Sequence, residues 1–448
     1  MSRGGLALAV SLVVAASPSV AQAAPGPGDG EGETPETLEV DERPSSCGPR
    51  APRVDARGRV DVVATAHLHD DGDEDLFSLY ERVDLSITWE LGPRVSARLD
   101  GRLVHRLRLD PERQGDDLQA AFEPELRRAW LAWRATDALE LTVGQQALRW
   151  GATTLARPLD ALVAHDYRFG PLAPQGALAR PVFGLTARLN AGRHGVTLVY
   201  QPFFAGHRAD LLKGDWVPFD PDRFALPPDL NLVSPRDDGG AGATVAARWA
   251  VRLGAVDAGL VWVWQPDRVP WVDASAARAT YRRRHVLGAE LSALLGPVVA
   301  RLDAALSTRQ TLYLRDGRPL DRPTLHAALE LEVRPAVWLE AAVGVDHLAV
   351  FEPPPEGELH LLAPQATRLA LRSSLLLAFD GAVRLDLRGR WDVSLGDFIG
   401  DAGLTWRASR AWALGAGAAV FTGASSGRGV GGLYEGRDYA YLRSSLTF

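Results

Sequence analysis

The chain has 448 residues, 46% of them hydrophobic and 23% charged, with a formal net charge of −7. That length would suit two or three soluble domains, yet no internal linker divides it, and beyond its first residues no stretch approaches the about 18 apolar residues of a membrane helix. Seven acids and four arginines fall before residue 54, so the body is nearly neutral, which excludes nucleic acid as a partner.

In chain order, Arg3 precedes an apolar run over 6–16 and the small-x-small sequence Ala21-Gln22-Ala23. This pattern predicts a cleaved export signal over 1–23. Residues 24–53 carry Asp29, Glu31, Glu33, Glu36, Glu39, Asp41 and Glu42 among prolines and glycines. Too few apolar residues remain there to build a core, so an acidic, disordered lead-in is expected. Cys47 is the one cysteine, which excludes an internal disulfide.

From residue 54 onward the hydrophobicity alternates with period two. Strands are predicted near 58–69, 77–91, 94–109, 124–135, 139–149, 181–190, 194–204, 242–254 and 256–265. Nine more follow near 283–295, 298–312, 323–334, 337–350, 367–379, 382–394, 397–408, 411–422 and 437–448. The connections alternate between tight turns, such as Gly92-Pro93, Gly296-Pro297 and Asp380-Gly381, and longer polar or Pro-rich loops. The pair at 395–396 is the exception, a long-loop position that is also tight. An even count with alternating short and long connections predicts an all-β, up-and-down transmembrane barrel of about 18 strands, or 16 to 18. Trp89, Trp249, Trp262, Trp264, Trp406, Trp412, Tyr439 and Tyr441 are expected to form its interfacial girdles.

Two strands carry ladders of charge on the polar face. One holds Arg98, Asp100, Arg102 and Arg106; the other holds Arg384, Asp386, Arg388 and Arg390. Inside a barrel such ladders either line a wet pore and set a transverse field or brace a plugged lumen. Arginine excess favours anionic solutes, discounted because Lys213 is the only lysine and arginine is simply the basic residue of this chain. The acidic loop with Asp71, Asp73 and Asp75 lacks the glycine and the distal glutamate of a calcium loop, having Leu76 and Arg82 there. It reads instead as a surface that gathers divalent cations beside lipopolysaccharide. No metal, cofactor or catalytic constellation emerges, so no enzyme is expected and a hydrolase ranks last.

The most distinctive stretch runs from Gly144-Gln145-Gln146 through Trp150-Gly151, of the form G-x-Q-x-x-x-W-G. Pro158-Leu159-Asp160, Pro174-Gln175-Gly176 and Tyr200-Gln201-Pro202 follow it. This order resembles a group of Gram-negative outer-membrane barrels with a G-R-Q-x-x-x-W-G unit, distantly similar to alginate-export-type porins. Gln145 stands where that unit has arginine. The alternation of connections makes 150–180 the third outward loop, and by analogy with general porins it is expected to fold into the lumen. Gly144, Gln146, Trp150 and Asp160 would then sit at the constriction. Leu155, Leu159, Leu162, Val163, Tyr167, Phe169 and Leu172 give that loop a reason to pack inside; a lid on the surface is the alternative.

The final strand alternates apolar residues and stops on Phe448, similar to the insertion signal that the barrel-assembly machinery reads in outer-membrane barrels. The reading is therefore an outer-membrane, porin-like channel for small polar, anionic solutes, working without a cofactor. A plugged structural barrel that binds an envelope partner or secreted polymer is the alternative.

Overall fold

The computed structural model describes residues 52–68, 77–109, 118–170, 172, 178–208, 231–232, 242–273, 278–355, 359–377, 382–423 and 429–448. The export signal, the lead-in with Cys47, most of the 205–241 loop and the acidic 69–75 loop lie outside them.

Eighteen antiparallel strands form one sheet. The first nine are β1 (Arg53–His67), β2 (Phe77–Glu90), β3 (Val95–Leu109), β4 (Leu118–Arg134), β5 (Leu139–Gln146), β6 (Val182–Ala191), β7 (His194–Gln201), β8 (Thr244–Leu253) and β9 (Val256–Pro266). The others are β10 (Arg283–Leu295), β11 (Val298–Tyr313), β12 (Pro319–Ala336), β13 (Leu339–Val350), β14 (Gln365–Leu377), β15 (Val383–Asp392), β16 (Asp397–Arg407), β17 (Trp412–Thr422) and β18 (Tyr439–Thr447). Each pairs with the next, and β18 pairs with β1 from Arg59↔Thr447 to His67↔Tyr439, which closes the barrel. Phe448 N–H donates to the Gly58 carbonyl at 2.9 Å, and Gly58 N–H to that of Phe448 at 2.7 Å. The Phe448 ring lies where a Cβ on Gly58 would be, so a larger residue there would have to displace that ring.

The alternation has the sense a membrane barrel needs. Leu85, Leu99, Leu131, Leu260, Leu371 and Leu442 are exposed on the outside, while Asp61, Asp100, Glu290, Asp303 and Asp346 are buried within. A soluble sandwich would reverse this; an apolar exterior is stable only against lipid. Exposed Trp133, Trp406 and Trp412 ring the short-turn rim, and Trp391, Phe398 and Phe183 the loop rim.

Three strands begin four or more residues earlier than the hydrophobic pattern predicts, at Arg53, Leu118 and Pro319. Their hairpin ladders continue past the apolar band, as in the pair Tyr313↔Pro319, because paired backbone stays satisfied there. Strand β5 ends earlier, at Gln146, where the chain leaves the wall. Tyr439 and Tyr441 do not join a girdle. The outward parity of β18 belongs to Leu442, Leu446 and the following Phe448. Tyr441 turns inward, its hydroxyl over Gly403 and Gly417 and 3.4 Å from Asp401.

Candidate functional site: a clamped loop in the lumen

The third long connection folds into the barrel. Its root is held by carboxylates from three successive strands. Glu290 on β10 accepts from Gly151 N–H at 3.1 Å. Asp303 on β11 accepts from Ala152 N–H at 2.8 Å, Thr153 N–H at 3.0 Å and the Thr153 hydroxyl at 2.6 Å. Glu330 on β12 accepts from Thr154 N–H at 2.6 Å, its hydroxyl at 2.8 Å and Leu155 N–H at 2.8 Å. Arg248 and Arg301 balance the first and last of these acids, at 2.6 and 3.0 Å. Charge-assisted bonds of this kind are about twice as strong as neutral ones.

The motif glycines explain the local geometry. Gly151 has φ +106°, a conformation that side chains resist, and a Cβ there would come within 2.6 Å of Asp303 Oδ2. Gly144 has φ +130° and lies against the Ala129 carbonyl of β4. Between them Gln146 is buried in the wall. It donates to the Gly184 carbonyl at 3.1 Å and accepts from the Thr186 hydroxyl at 3.1 Å, so it serves β6 and no loop carbonyl.

Beyond the root, Trp150, Leu159 and Leu162 pack on an apolar tier of inward residues, including Val199, Ala246, Val263, Val286 and Ala305. Gly288 on β10 leaves the space that Leu159 fills. Arg268, just after β9, bonds the loop through Nε to the Ala161 carbonyl at 3.1 Å and Nη2 to that of Leu162 at 2.7 Å, and joins it to the next connection through Nη1 to the Ala205 carbonyl at 2.5 Å. A two-residue ladder, Ala164–His165 with Ala179–Arg180, stiffens the far part. Arg168 then ties it to β4, reaching Glu123 at 2.9 Å, and Leu172 packs beside Phe421 and Tyr434 near the last strands.

One side-chain step toward the loop rim, the wall becomes polar. Neither amide atom of Gln265 and neither oxygen of Asp160 makes a hydrogen bond among the described residues, nor do Gln201 Oε1, His165 Nδ1 and Arg284 Nε. Asp160 pairs with His165 Nε2 at 3.5 Å. His207 Nδ1 accepts from His165 N–H at 2.9 Å. Burial first, then the charges of His165, Arg268, Arg284 and Arg180, holds the His207 imidazole well below its ordinary 6.5.

The charged ladders face the lumen as parity requires, and their arginines outnumber the acids. Arg98 and Arg128 share Asp100, at 2.9 and 2.6 Å. Arg102 and Arg82 share Asp84, at 2.7 and 2.8 Å, and Arg59, Arg82 and Arg443 all converge on Asp61. Arg106 meets Glu123 at 2.6 Å. On β15, Arg384 meets Asp386 at 2.8 Å and Arg388 meets Asp401 of β16 at 2.6 Å. Arg390 has no hydrogen bond or ion pair among the described residues.

Of the residues the sequence placed at the constriction, Trp150, Gln146 and Asp160 are buried behind or beneath the loop. The acids that hold the loop were not singled out by sequence. Their signal was present: Glu290, Asp303, Glu330, Glu332 and Asp346 all interrupt apolar strands on one parity.

Fold and site together define a closed 18-stranded barrel with an infolded, clamped third loop. No protein-family model matches the sequence, and no curated protein matches it. Among solved structures it is similar to Salmonella typhi OmpF in complex with daunomycin, at 9% identity over 90% of this chain and 100% of that one, TM-score 0.45. It is similar also to Pseudomonas aeruginosa OpdK with vanillate, at 11% identity over 88% and 98%, TM-score 0.49. The third is in-vitro folded OmpT, an outer membrane protein of Vibrio cholerae, at 9% identity over 90% and 99%, TM-score 0.45. These are likenesses of architecture.

Proposed function

We propose that the protein is an outer-membrane, porin-like channel through which small polar solutes, anions preferentially, diffuse down their gradients. The carboxylate clamp on the loop root carries this reading. A loop fastened to three lumen strands chiefly by its backbone, with the Thr153 and Thr154 hydroxyls adding to the clamp, narrows the barrel at a fixed place. The anion preference follows from how charge is distributed. On β10 to β12 the acids are occupied by loop N–H groups, whereas on β1 to β4 the arginines share too few carboxylates. A solute passing the loop meets the second arc, and its positive field favours anions. In this reading an export signal delivers the chain, the barrel-assembly machinery inserts it, and lipid with lipopolysaccharide surrounds it.

The test is single-channel conductance of the refolded barrel in a planar bilayer beside a variant lacking 152–178, with the reversal potential read in a potassium chloride gradient. Steady conductance that rises on deletion, with a reversal potential on the chloride side, is the expected result. Silence from both proteins overturns the channel and leaves a plugged barrel that binds a partner. Cation selectivity removes the anionic part alone.

A further inference from the structure

We infer that the outer face of the barrel at the loop rim, where β9 to β12 meet, binds a phosphate monoester of an outer-leaflet lipopolysaccharide through Arg283, His285 and Arg309. The proposal rests on the outer-membrane placement of the barrel and is independent of whether it conducts. Parity puts these side chains on the lipid side. On β10, Arg283 and His285 continue the row of exposed Leu287 and Leu291, and on β9 Trp264 continues that of Leu260 and Trp262. On β11 a bulge after Ser307 brings Thr308 beside His285, whose N–H donates to the Thr308 hydroxyl at 3.1 Å, and sets Gln310 opposite Arg322. Arg309 therefore stands one strand over from Arg283, about 4.8 Å away in the direction of pairing. Its side chain is 53% exposed, with Nε 3.6 Å from Asp321 on the outward parity of β12.

Aromatic rings hold these groups in place. The Arg283 guanidinium lies over Trp264, 3.8 Å from the ring centroid, and that of Arg282 over Trp271 at 3.3 Å. A guanidinium laid on a ring keeps its planar fork of N–H donors for an oxyanion. His285 is placed by Trp262, whose indole N–H donates to its Nδ1 at 3.4 Å, with the ring centroids 6.2 Å apart. Nδ1 thus accepts, which leaves the ring proton on Nε2 as a further donor. Tryptophan on an apolar exterior marks the headgroup level of a bilayer, so the anion within reach of the cluster is part of a lipid.

The charge balance selects the anion. Arg282, Arg283 and Arg309 face one carboxylate, Asp321, which Arg282 meets at 2.7 Å and Arg309 at 3.6 Å. Asp267 is buried; it accepts from Thr311 N–H at 2.7 Å and meets Arg284, on the lumen parity, at 3.7 Å. Asp273 stands opposite Arg278 across a short ladder. Arg322 bonds the Glu352 carbonyl at 2.7 Å, and the charges of those two residues cancel. Three guanidinium groups less one carboxylate leave two positive charges. That excess matches a phosphate monoester, at about −1.5 to −2 near neutral pH, better than a singly charged phosphodiester.

The experiment is binding of lipopolysaccharide to the immobilised full-length barrel, refolded in detergent. The comparison ligands are the same lipopolysaccharide stripped of its phosphates, phosphatidylglycerol and inorganic phosphate. Intact lipopolysaccharide should bind tightest, and the stripped form about tenfold or more weaker. Arg283→Gln and Arg309→Gln should each cost about tenfold, as for loss of a charged hydrogen bond, and His285→Phe about threefold for a neutral one. Protease resistance equal to the parent's checks that each variant folds. Arg283→Lys should keep part of the affinity, and Arg252→Gln, at an exposed short turn beside Asp257, should bind as the parent does. Equal binding by the parent and the Arg283→Gln, Arg309→Gln double variant overturns the site, as does stripped lipopolysaccharide binding as tightly as intact. Phosphatidylglycerol or inorganic phosphate binding as tightly as lipopolysaccharide overturns the assignment to a lipid monoester. A barrel that binds lipopolysaccharide through these arginines but never conducts overturns the channel and keeps the site.

Discussion

Two stretches of the same loop are held to the wall by different physics. Residues 151–155 give their backbone N–H groups to Glu290, Asp303 and Glu330, and each acid oxygen there has a donor. Ten residues on, Asp160 and His165 lie on a tier where Gln201, Gln265 and Arg284 leave polar atoms without hydrogen bonds. That part is retained by the burial of Leu159 and Leu162 and by the grip of Arg268 on loop carbonyls. A satisfied charged clamp is costly to open, whereas an incompletely satisfied polar layer gives little back when closed. The contrast assigns permanence to the root and motion to the distal part.

The strongest way to break the contrast is to remove the clamp. Asp303→Ala with Glu330→Ala strands the four N–H groups of residues 152–155, at about 1–3 kcal/mol for each buried group left unpaired. The double variant should conduct nearly as much as the loop deletion, and protease should cut the loop while the barrel persists. Conductance equal to the parent would mean that apolar packing alone holds the root.

Acidification probes the distal part with a smaller effect. His207, which accepts from the His165 N–H of the docked loop, has a value below its ordinary 6.5 there, so it takes up a proton more readily when the loop is undocked. Docking is therefore complete above about pH 6.5 and weakens as pH falls below it. Open-channel noise should grow on that descent and stay flat in His207→Gln, which keeps an acceptor for His165 N–H. Noise that grows equally in both proteins would mean that His207 is not the group behind it.

The smallest expected effect sharpens the comparison most. Asp160→Asn removes a buried charge that accepts no hydrogen bond among the described residues and meets His165 at 3.5 Å; the desolvation it relieves offsets the pair it breaks, so stability should change by less than about 1 kcal/mol. A larger loss in thermal unfolding would show that the Asp160–His165 pair holds the loop as firmly as the carboxylate clamp does.

The fold was largely legible because each strand states its own parity. Ladders such as Arg98, Asp100 and Arg102 announce an inner face whatever they pair with, and tight turns fix the count. Tyr439 and Tyr441 were misplaced because aromaticity suggested a girdle, while parity, read from Leu442 and Leu446, turned them inward. The site was half legible. The loop's apolar residues and its Trp-Gly root pointed inside, but the clamp joins backbone atoms to acids 139 to 176 positions away. No local pattern encodes such a bond. The burial of Asp160 beside His165 is equally a product of how the loop folds back on itself.

One consequence of the clamp concerns variation. The three acids recognise N–H groups, which nearly every amino acid supplies at nearly the same place. Outside Gly151 and the two threonines whose hydroxyls also bond Asp303 and Glu330, and with proline forbidden, the loop root can therefore be rewritten residue by residue without losing its mooring, provided Glu290, Asp303 and Glu330 stay. The wall carries the constraint and the loop carries the freedom, an arrangement that lets a lineage alter what the barrel admits while its scaffold stands still.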